Sequence, residues 1–262
     1  MSIQQAVEQV RANIARAAQG AGRDPAEVTL VAATKTQSSD TIRAAIAAGI
    51  TVCGENRVQE FTAHLADGAY EGAAVHFIGH LQTIKVKYVV GRVDLIESVS
   101  SDKLLDAIDA QAAKAGVVQD ILLEINIGRE ASKSGFAPEE TLAAARKAVS
   151  LAHVRLRGLM AIPPSAHVPG ENRHFFAEMH QLFVDIRTQL RDNETDITTL
   201  SMGMSADYPD AVAEGATLVR VGTALFGPRS AERPGAAAQR TAQTKKQATP
   251  KAERHFSRSG EQ

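Results

Sequence analysis

Cysteine is almost absent from this chain of 262 residues, as are long apolar runs and any excess of one charge. The single cysteine, Cys53, excludes an intramolecular disulfide framework and indicates a reducing compartment. The net charge of -1 argues against a folded surface built for nucleic acid. No apolar stretch could span a bilayer, and residues 1–20 form an amphipathic helical pattern without the apolar core of a secretory signal. We therefore expect a cytoplasmic protein without membrane contact.

Short β-branched runs alternate with longer Ala-rich helical patterns along most of the chain. Eight strands are predicted, at residues 28–34, 50–54, 75–79, 94–99, 120–128, 154–162, 198–203 and 217–222. Helical patterns lie between them, at residues 39–48, 58–66, 83–91, 101–115, 138–151, 171–190 and 208–214. The strands are apolar rather than alternating, which is typical of a parallel sheet. Eight such units at this length predict an α/β fold, a closed (β/α)8 TIM-type barrel, with a doubly wound open sheet as the alternative.

The end of the sequence has a different composition. Residues 230–262 are rich in Ala, Gln, Lys and Arg, contain almost no large apolar side chains and have no periodicity. Such a segment cannot bury enough apolar surface to offset the entropy lost on ordering. We therefore predict a barrel domain over residues 1–229 and a disordered basic tail over residues 230–262.

A mostly polar set of residues closes the predicted strands. Functional side chains of a (β/α)8 barrel collect where the carboxyl ends of the strands meet the following loops. In chain order, these ends carry Lys35, Asn56, His80, Asn126, Met160, Ser205, Arg220, Gly222 and Thr223. The first of them, Lys35, either extends into solvent or is held for chemistry. A lysine withdrawn from water, or near other cations, favours its neutral amine and can form a Schiff base with a carbonyl.

Two glycine-containing motifs near the end of the predicted barrel are candidates for an anion site. SMGMSADY places Gly203 and Ser205 before a predicted helix, and VRVGTALFG leads through Gly222 and Thr223 into another. Backbone N–H groups at helix starts bind anions, and the loops after strands seven and eight of such barrels often bind phosphate. Ordinary turns and caps would use the same residues. In combination with Lys35, they predict a phosphorylated carbonyl ligand, with pyridoxal 5'-phosphate as the leading candidate.

Seven motifs occur in order between residues 28 and 228, namely ATKTQ, GENRVQEF, HFIGHLQTIK, INIGREASKSGF, RGLMAIPP, SMGMSADY and VRVGTALFG. With them the chain resembles the pyridoxal phosphate homeostasis protein family, relatives of the N-terminal barrel of alanine racemase (fold type III). The resemblance implies a Schiff base between Lys35 and the cofactor aldehyde, and Arg220 facing the pyridine nitrogen. It also implies that Ser205, Gly222 and Thr223 hold the phosphate group. Asn56, His80 and Met160 would line the pocket.

Two positions depart from the family pattern. Ile84 stands where the family usually has asparagine, which puts a polar role there in doubt. Val75 stands where a tryptophan is common, a change that concerns packing.

The resemblance implies binding of the cofactor without catalysis. Alanine racemase uses two bases, one of them from an extra β-domain, and the residues after Gly227 leave no room for such a domain, so we expect a single barrel domain. No second base is recognisable in the sequence. We expect a monomeric pyridoxal phosphate carrier in vitamin B6 homeostasis, with apoenzymes as candidate recipients. The alternatives are a fold type III racemase or decarboxylase, and a cofactor-free Schiff-base lyase.

Two other pairs of residues have the composition of a metal site or an ion pair. His76 and His80 straddle a strand end and lack a carboxylate or cysteine to complete a metal site, so we expect structural histidines and no metal. Glu55 and Arg57, two residues apart, are interpreted as a local ion pair.

Overall fold

The structure, a computed structural model, describes residues 1–166, 168–190 and 196–228. Eight parallel strands follow one another around a closed barrel: β1 Thr29–Ala33, β2 Val52–Glu55, β3 Ala74–Phe77, β4 Leu95–Val99, β5 Gln119–Ile125, β6 Val154–Ala161, β7 Thr199–Ser201 and β8 Leu218–Val221. The barrel closes because β8 pairs with β1. The predicted (β/α)8 barrel is confirmed, and the open doubly wound sheet is wrong.

Helices cover the outside of the strands. They are α1 Ile3–Gly20, α2 Ser39–Ala47, α3 Val58–Ala66, α4 Asp102–Ala115, α5 Thr141–Ser150, α6 Arg173–Gln189, α7 Tyr208–Ala213 and α8 Thr223–Phe226. Ser38 and Ser101 begin α2 and α4 by accepting a hydrogen bond from the N–H three residues later. Gly116 ends α4 with a φ of 67°, a conformation that glycine adopts without steric cost.

The predicted helix at residues 83–91 is a 3-10 helix instead, Thr83–Tyr88. Its first turn holds Thr83, Ile84 and Val86, whose β-branched side chains disfavour an α-helix. Ile84 is 75% exposed, so this segment does not bury a continuous apolar face. Short 3-10 helices also occur at Pro25–Glu27 and at Pro138–Glu140, where the latter leads into α5.

Apolar side chains form two layers. The larger layer lies between the strands and the helices and includes the fully buried Phe61, Phe77 and Phe176. Cys53 belongs to this layer, and burial raises the pKa of its thiol to about 12, so the thiol stays protonated. The barrel interior holds two small apolar clusters, formed by Val31, Val52 and Leu218 and by Leu95, Leu122 and Met160.

Met1–Gly227 form one compact unit. The predicted domain boundary at residue 229 and the predicted tail, residues 230–262, lie outside the described residues. None of the helices in the described ranges is both long and apolar enough to cross a membrane.

Candidate functional site

Lys35 follows β1 by two residues and is half-buried. The next residue, Thr36, has a φ of 66°, which is sterically costly for a β-branched side chain. Its backbone N–H donates a hydrogen bond of 3.1 Å to Glu60 Oε2 in the first turn of α3. Strained backbone of this kind clusters at functional sites, where the surrounding structure holds it in place. The hydrogen bond to Glu60 thus helps to hold the strained backbone next to Lys35.

Asn56 follows β2, the neighbour of β1 in the barrel. Its side-chain Oδ1 is buried and has no hydrogen-bond partner in the described part of the chain. A buried acceptor without a donor loses its hydration without compensation. Asn56 Oδ1 therefore marks a place where the hydrogen-bond donor of a ligand would be stabilised.

The loops after β7 and β8 meet at Ser205. Its Oγ accepts hydrogen bonds from the backbone N–H groups of Gly222, at 3.1 Å, and Ala224, at 3.3 Å. Gly222 also lies beside β1, because a Cβ built on it would stand 3.5 Å from the Cβ of Ala33. The structure thus brings the two predicted anion-binding motifs together, next to the strand that leads to Lys35. Thr223 begins α8 and is exposed.

Arg220 lies inside the barrel and is 4% exposed. Its Nη1 donates to the Ser201 hydroxyl and its Nη2 donates to the Ala161 carbonyl oxygen over 2.9 Å. Burial lowers the pKa of the guanidinium, and the charges of Glu97, Glu124 and Asp207 oppose that change. Arginine remains protonated in proteins, so the barrel contains a fixed positive charge.

Glu124 on β5 is a carboxyl near Arg220 that the sequence reasoning missed. It lies two residues after Leu122, which packs in the barrel interior, and the period of two along a strand gives both the same face. Burial raises the pKa of its carboxyl, against the charges of Arg220 and His80. An acidic residue on the inward face of an apolar strand was the signal that could have identified it.

His80 and Met160 occupy different environments. His80 is exposed, and its Nδ1 lies 3.2 Å from the Ser134 hydroxyl. Met160 is fully buried and packs with Leu95 and Leu122 in the barrel interior. His80 is therefore available at the rim, whereas Met160 lies among the packed interior side chains.

Glu55 does not form the predicted ion pair with Arg57. The Glu55 carboxylate is fully buried and accepts hydrogen bonds from Thr34 Oγ1, at 2.6 Å, and from the Tyr70 hydroxyl, at 2.9 Å. Arg57 is exposed and pairs with Glu60 over 3.2 Å. The prediction is wrong because β2 directs Glu55 into the layer beneath the helices, whereas Arg57 already lies outside the strand.

His76 lies inside the barrel, with its Nδ1 2.7 Å from Glu97 Oε1. It is buried, unlike His80. Among the described residues, no group of three or more His, Cys, Asp or Glu side chains is arranged to hold a metal ion.

The comparisons with known proteins cover most of the chain. The family model for the N-terminal domain of alanine racemase matches residues 6–230. A pyridoxal phosphate homeostasis protein of Aquifex aeolicus is 40% identical over 223 residues, which cover 85% of this chain and 96% of that protein. One of Pseudomonas aeruginosa is 41% identical over 228 residues, covering 87% and 96%.

A solved structure adds evidence at the level of the fold and the family. PipY of Synechococcus elongatus was solved with pyridoxal phosphate (PLP) bound. It is 33% identical to this chain with a TM-score of 0.74, and the match covers 86% of this chain and all of PipY. Alanine racemase of Clostridium difficile is 14% identical with a TM-score of 0.59, a likeness of fold alone. The resemblance predicted from the sequence motifs is confirmed. This chain belongs to the pyridoxal phosphate homeostasis protein family.

Proposed function

We propose that this protein binds pyridoxal 5'-phosphate through Lys35 and acts in vitamin B6 homeostasis, buffering or delivering the cofactor without turning over a substrate. The observation that carries the proposal is that the loop after β8 lies against the end of β1, the strand that leads to Lys35. Gly222 lies against Ala33, two residues before Lys35, while Ser205 accepts the Gly222 N–H. An amine and a phosphate-binding loop thus belong to adjacent strands. The names of the relatives, and PLP bound in PipY, support the same ligand.

The residues present fit this cofactor. Asn56 Oδ1, which is buried and has no hydrogen-bond partner among the residues that the structure describes, would accept a hydrogen bond from a polar substituent of the ring. Ser205, Gly222 and Thr223 would hold the phosphate group through their hydroxyl and backbone N–H groups. His80 would line the rim, and Met160 would support the ring from the barrel interior. These two roles follow from the depth at which each side chain lies.

Lys35 provides the covalent attachment in this proposal. Its Nζ would condense with the aldehyde that the cofactor supplies, forming a C=N bond with release of one molecule of water. When bound, the cofactor supplies the aldehyde and a ring that can withdraw electrons. The barrel supports this step by holding Lys35 half-buried, because partial removal from water favours the neutral amine that the reaction needs.

Arg220 favours binding over catalysis. Its permanent positive charge, placed toward the pyridine nitrogen, would disfavour protonation of that nitrogen. An unprotonated ring withdraws electrons less strongly, so a carbanion at a bound amino acid would be poorly stabilised. We therefore propose that amino acids are not turned over, and that neither racemisation nor decarboxylation is the protein's activity.

The attachment is tested by borohydride reduction of the full-length protein loaded with pyridoxal 5'-phosphate. We expect a visible absorption band in the wild type and, after reduction and peptide mass mapping, the added mass on Lys35. Lys35→Ala should lose both. The matched control is Lys147→Ala, since Lys147 lies on α5 and pairs with Asp106. A reduced adduct on another lysine, with Lys35 unmodified, would contradict the assignment.

The absence of turnover is tested separately. The loaded wild type is incubated with individual amino acids, and loss of chirality, loss of carbon dioxide and exchange of the Cα proton are followed. We expect rates no higher than those of free pyridoxal 5'-phosphate. A saturable rate that disappears in Lys35→Ala would identify an enzyme instead.

A further inference from the structure

A continuous set of hydrogen bonds crosses the barrel interior from β3 to β8. His76 Nδ1 lies 2.7 Å from Glu97 Oε1, and the Ser201 hydroxyl donates to Glu97 Oε2 over 2.6 Å. Arg220 Nη1 donates to the Ser201 oxygen and lies 3.8 Å from Glu97 Oε2. All four residues are at most 9% exposed. Water is therefore largely excluded, and their polar atoms bind one another instead. We call this set the interior chain: His76, Glu97, Ser201 and Arg220.

Glu97 is the acceptor at the centre of the interior chain: His76 and Ser201 bind its two carboxylate oxygens directly, and Arg220 reaches it through Ser201. Burial by itself raises the pKa of the Glu97 carboxyl, but the hydrogen bond and charge of His76, the charge of Arg220 and the Ser201 hydrogen bond outweigh it and lower that pKa. An ionised carboxylate only accepts hydrogen bonds, so the His76 nitrogen and the Ser201 hydroxyl must both donate to it. The Ser201 oxygen is then left to accept from Arg220. The order of donors fixes the guanidinium in one orientation.

Glu97 is also the counter-charge of Arg220. A second carboxyl, Glu124, interacts with the same guanidinium, but burial raises its pKa and so disfavours its charged form. The difference arises because Glu97 accepts from two side chains, which stabilise its negative charge. The buried positive charge of Arg220 is thus compensated from β4.

His76, at the other end of the interior chain, lies near the amino-terminal ends of the strands. His76 lines a cavity of about 600 Å³ there, together with residues at the starts of the strands, among them Thr29, Val52, Leu95, Asp120 and Leu218. Arg220 is directed toward Ala161 at the end of β6, on the side of the carboxyl ends. Stability alone does not require this connection, since apolar residues of similar volume often replace a buried ion pair at no cost.

We propose that Glu97, Ser201 and His76 are positioning residues for Arg220, which they hold in one orientation and with compensated charge toward the cofactor ring. The inference rests on the proposed function, in which Arg220 faces the ring nitrogen. It extends the site to residues of β3, β4 and β7 that the cofactor does not touch. Their substitution should change how the cofactor is held, although they lie behind the groups that contact it.

The charge is tested with Glu97→Gln, which keeps the shape of the side chain and removes its charge. The readout is the pH at which the visible absorption band of bound pyridoxal 5'-phosphate is half lost. The visible band requires a proton on Lys35 Nζ, the nitrogen bonded to the cofactor. Without the charge of Glu97, the positive charge of Arg220 disfavours that proton, so we expect the midpoint to move down by about one pH unit. An unchanged midpoint in a folded variant that still binds the cofactor would overturn the inference.

The geometry is tested with a pair of substitutions at His76. His76→Leu removes the donor to Glu97, whereas the side-chain amide of His76→Asn can place a donor close to the position of the ring Nδ1. We expect His76→Leu to weaken binding of the cofactor roughly tenfold, and His76→Asn to stay within about twofold of the wild type. Equal affinities for both variants and the wild type would overturn the role of the histidine.

Folding and the proposed function are checked in the same series. Urea unfolding of each variant without cofactor identifies any variant that does not fold. Ser201→Ala, which removes no charge, then takes the place of that variant. Ser201→Ala should also weaken binding roughly tenfold, and an unchanged affinity would count against the inference. If the wild type binds no pyridoxal 5'-phosphate, or binds it independently of Lys35, the proposed function fails and the inference fails with it. Wild-type affinity in His76→Leu and Ser201→Ala, together with an unchanged midpoint in Glu97→Gln, would contradict only the inference.

Discussion

Gly79 lies so close to Asn56 that a Cβ at position 79 would stand 2.2 Å from the Asn56 carbonyl oxygen. The next contacts, 2.6 Å to Cα and 2.7 Å to the carbonyl carbon of Asn56, are also with backbone atoms. Backbone cannot rotate aside as a flexible side chain can. The loops after β2 and β3 therefore approach this closely only because residue 79 is glycine. The approach helps to place the buried Asn56 Oδ1, which has no hydrogen-bond partner within the described ranges.

Gly79→Ala should destabilise the protein by about 1–3 kcal/mol, the usual cost of adding a methyl group to a packed site. It should also weaken binding of pyridoxal 5'-phosphate, because Asn56 must move. The measurements are urea unfolding without cofactor and a binding titration. Gly20→Ala is the control, since a Cβ there meets no atom within 4 Å at the end of α1, and it should be neutral or slightly stabilising. An alanine at position 79 with wild-type stability and affinity would refute this packing argument.

Tyr70→Phe should lower the free energy of unfolding by about 1–2 kcal/mol. Burial and the neighbouring Glu55 carboxyl raise the pKa of Tyr70 above its usual range, so its hydroxyl stays protonated and donates to Glu55. Glu55 already has one buried oxygen, Oε2, without a partner among the described residues, and loss of a donor adds to that cost. Urea unfolding measures the change. Tyr88→Phe makes the same chemical change at a residue that is 42% exposed and should stay within about 0.5 kcal/mol.

The barrel was predictable because its strands are continuous apolar runs. Each of the eight runs overlaps an observed strand, and the parallel arrangement brings the strand ends to one side of the barrel. That geometry predicted Lys35, Ser205 and Gly222 at one end of the barrel, with Lys35 facing the two motifs across it. The Ser205–Gly222 hydrogen bond brings the two motifs together, and β8 pairs directly with β1, so the motifs lie beside the strand of Lys35 and not opposite it.

The interior polar contacts were not predictable from sequence. Glu97 and Ser201 are 104 residues apart, and their hydrogen bond depends on the register and curvature of β4 and β7, which no local pattern records. Glu55 illustrates the opposite difficulty. Its proximity in sequence to Arg57 suggested an ion pair, whereas the carboxylate binds Thr34 and Tyr70 beneath the helices.

Ser205→Ala should weaken binding of pyridoxal 5'-phosphate roughly tenfold and leave binding of pyridoxal nearly unchanged. The Ser205 hydroxyl holds the Gly222 and Ala224 N–H groups in place, and it is itself a candidate donor to the phosphate. Pyridoxal lacks the phosphate and so serves as the internal control. Titrations of both compounds, followed by absorbance, provide the comparison. An equal loss for both would indicate that Ser205 supports the loop in general and does not bind the phosphate group.

Glu124→Gln should increase stability relative to the wild type, and the increase should grow with pH. Burial raises the pKa of the Glu124 carboxyl above its ordinary value of 4.5. A raised pKa in the folded state means that this carboxyl contributes stability below about pH 4.5 and that the contribution is lost as the pH rises through the folded pKa. Glutamine stays neutral and avoids the loss. Urea unfolding of both proteins between about pH 4 and pH 8 measures the difference.

The control for this pH dependence is Glu139→Gln, in which the sign is reversed. A hydrogen bond from its own backbone N–H, followed by the Arg129 side chain, lowers the pKa of Glu139. Its stabilising contribution is therefore present above the ordinary pKa and lost as the pH falls, and it is small because the exposed pair is screened by solvent. Glu139→Gln should thus become slightly less stable than the wild type as the pH rises. A difference for Glu124→Gln that stays flat, or shrinks with pH, would mean that the carboxyl is ionised without penalty, and Glu124 would then share with Glu97 the compensation of Arg220.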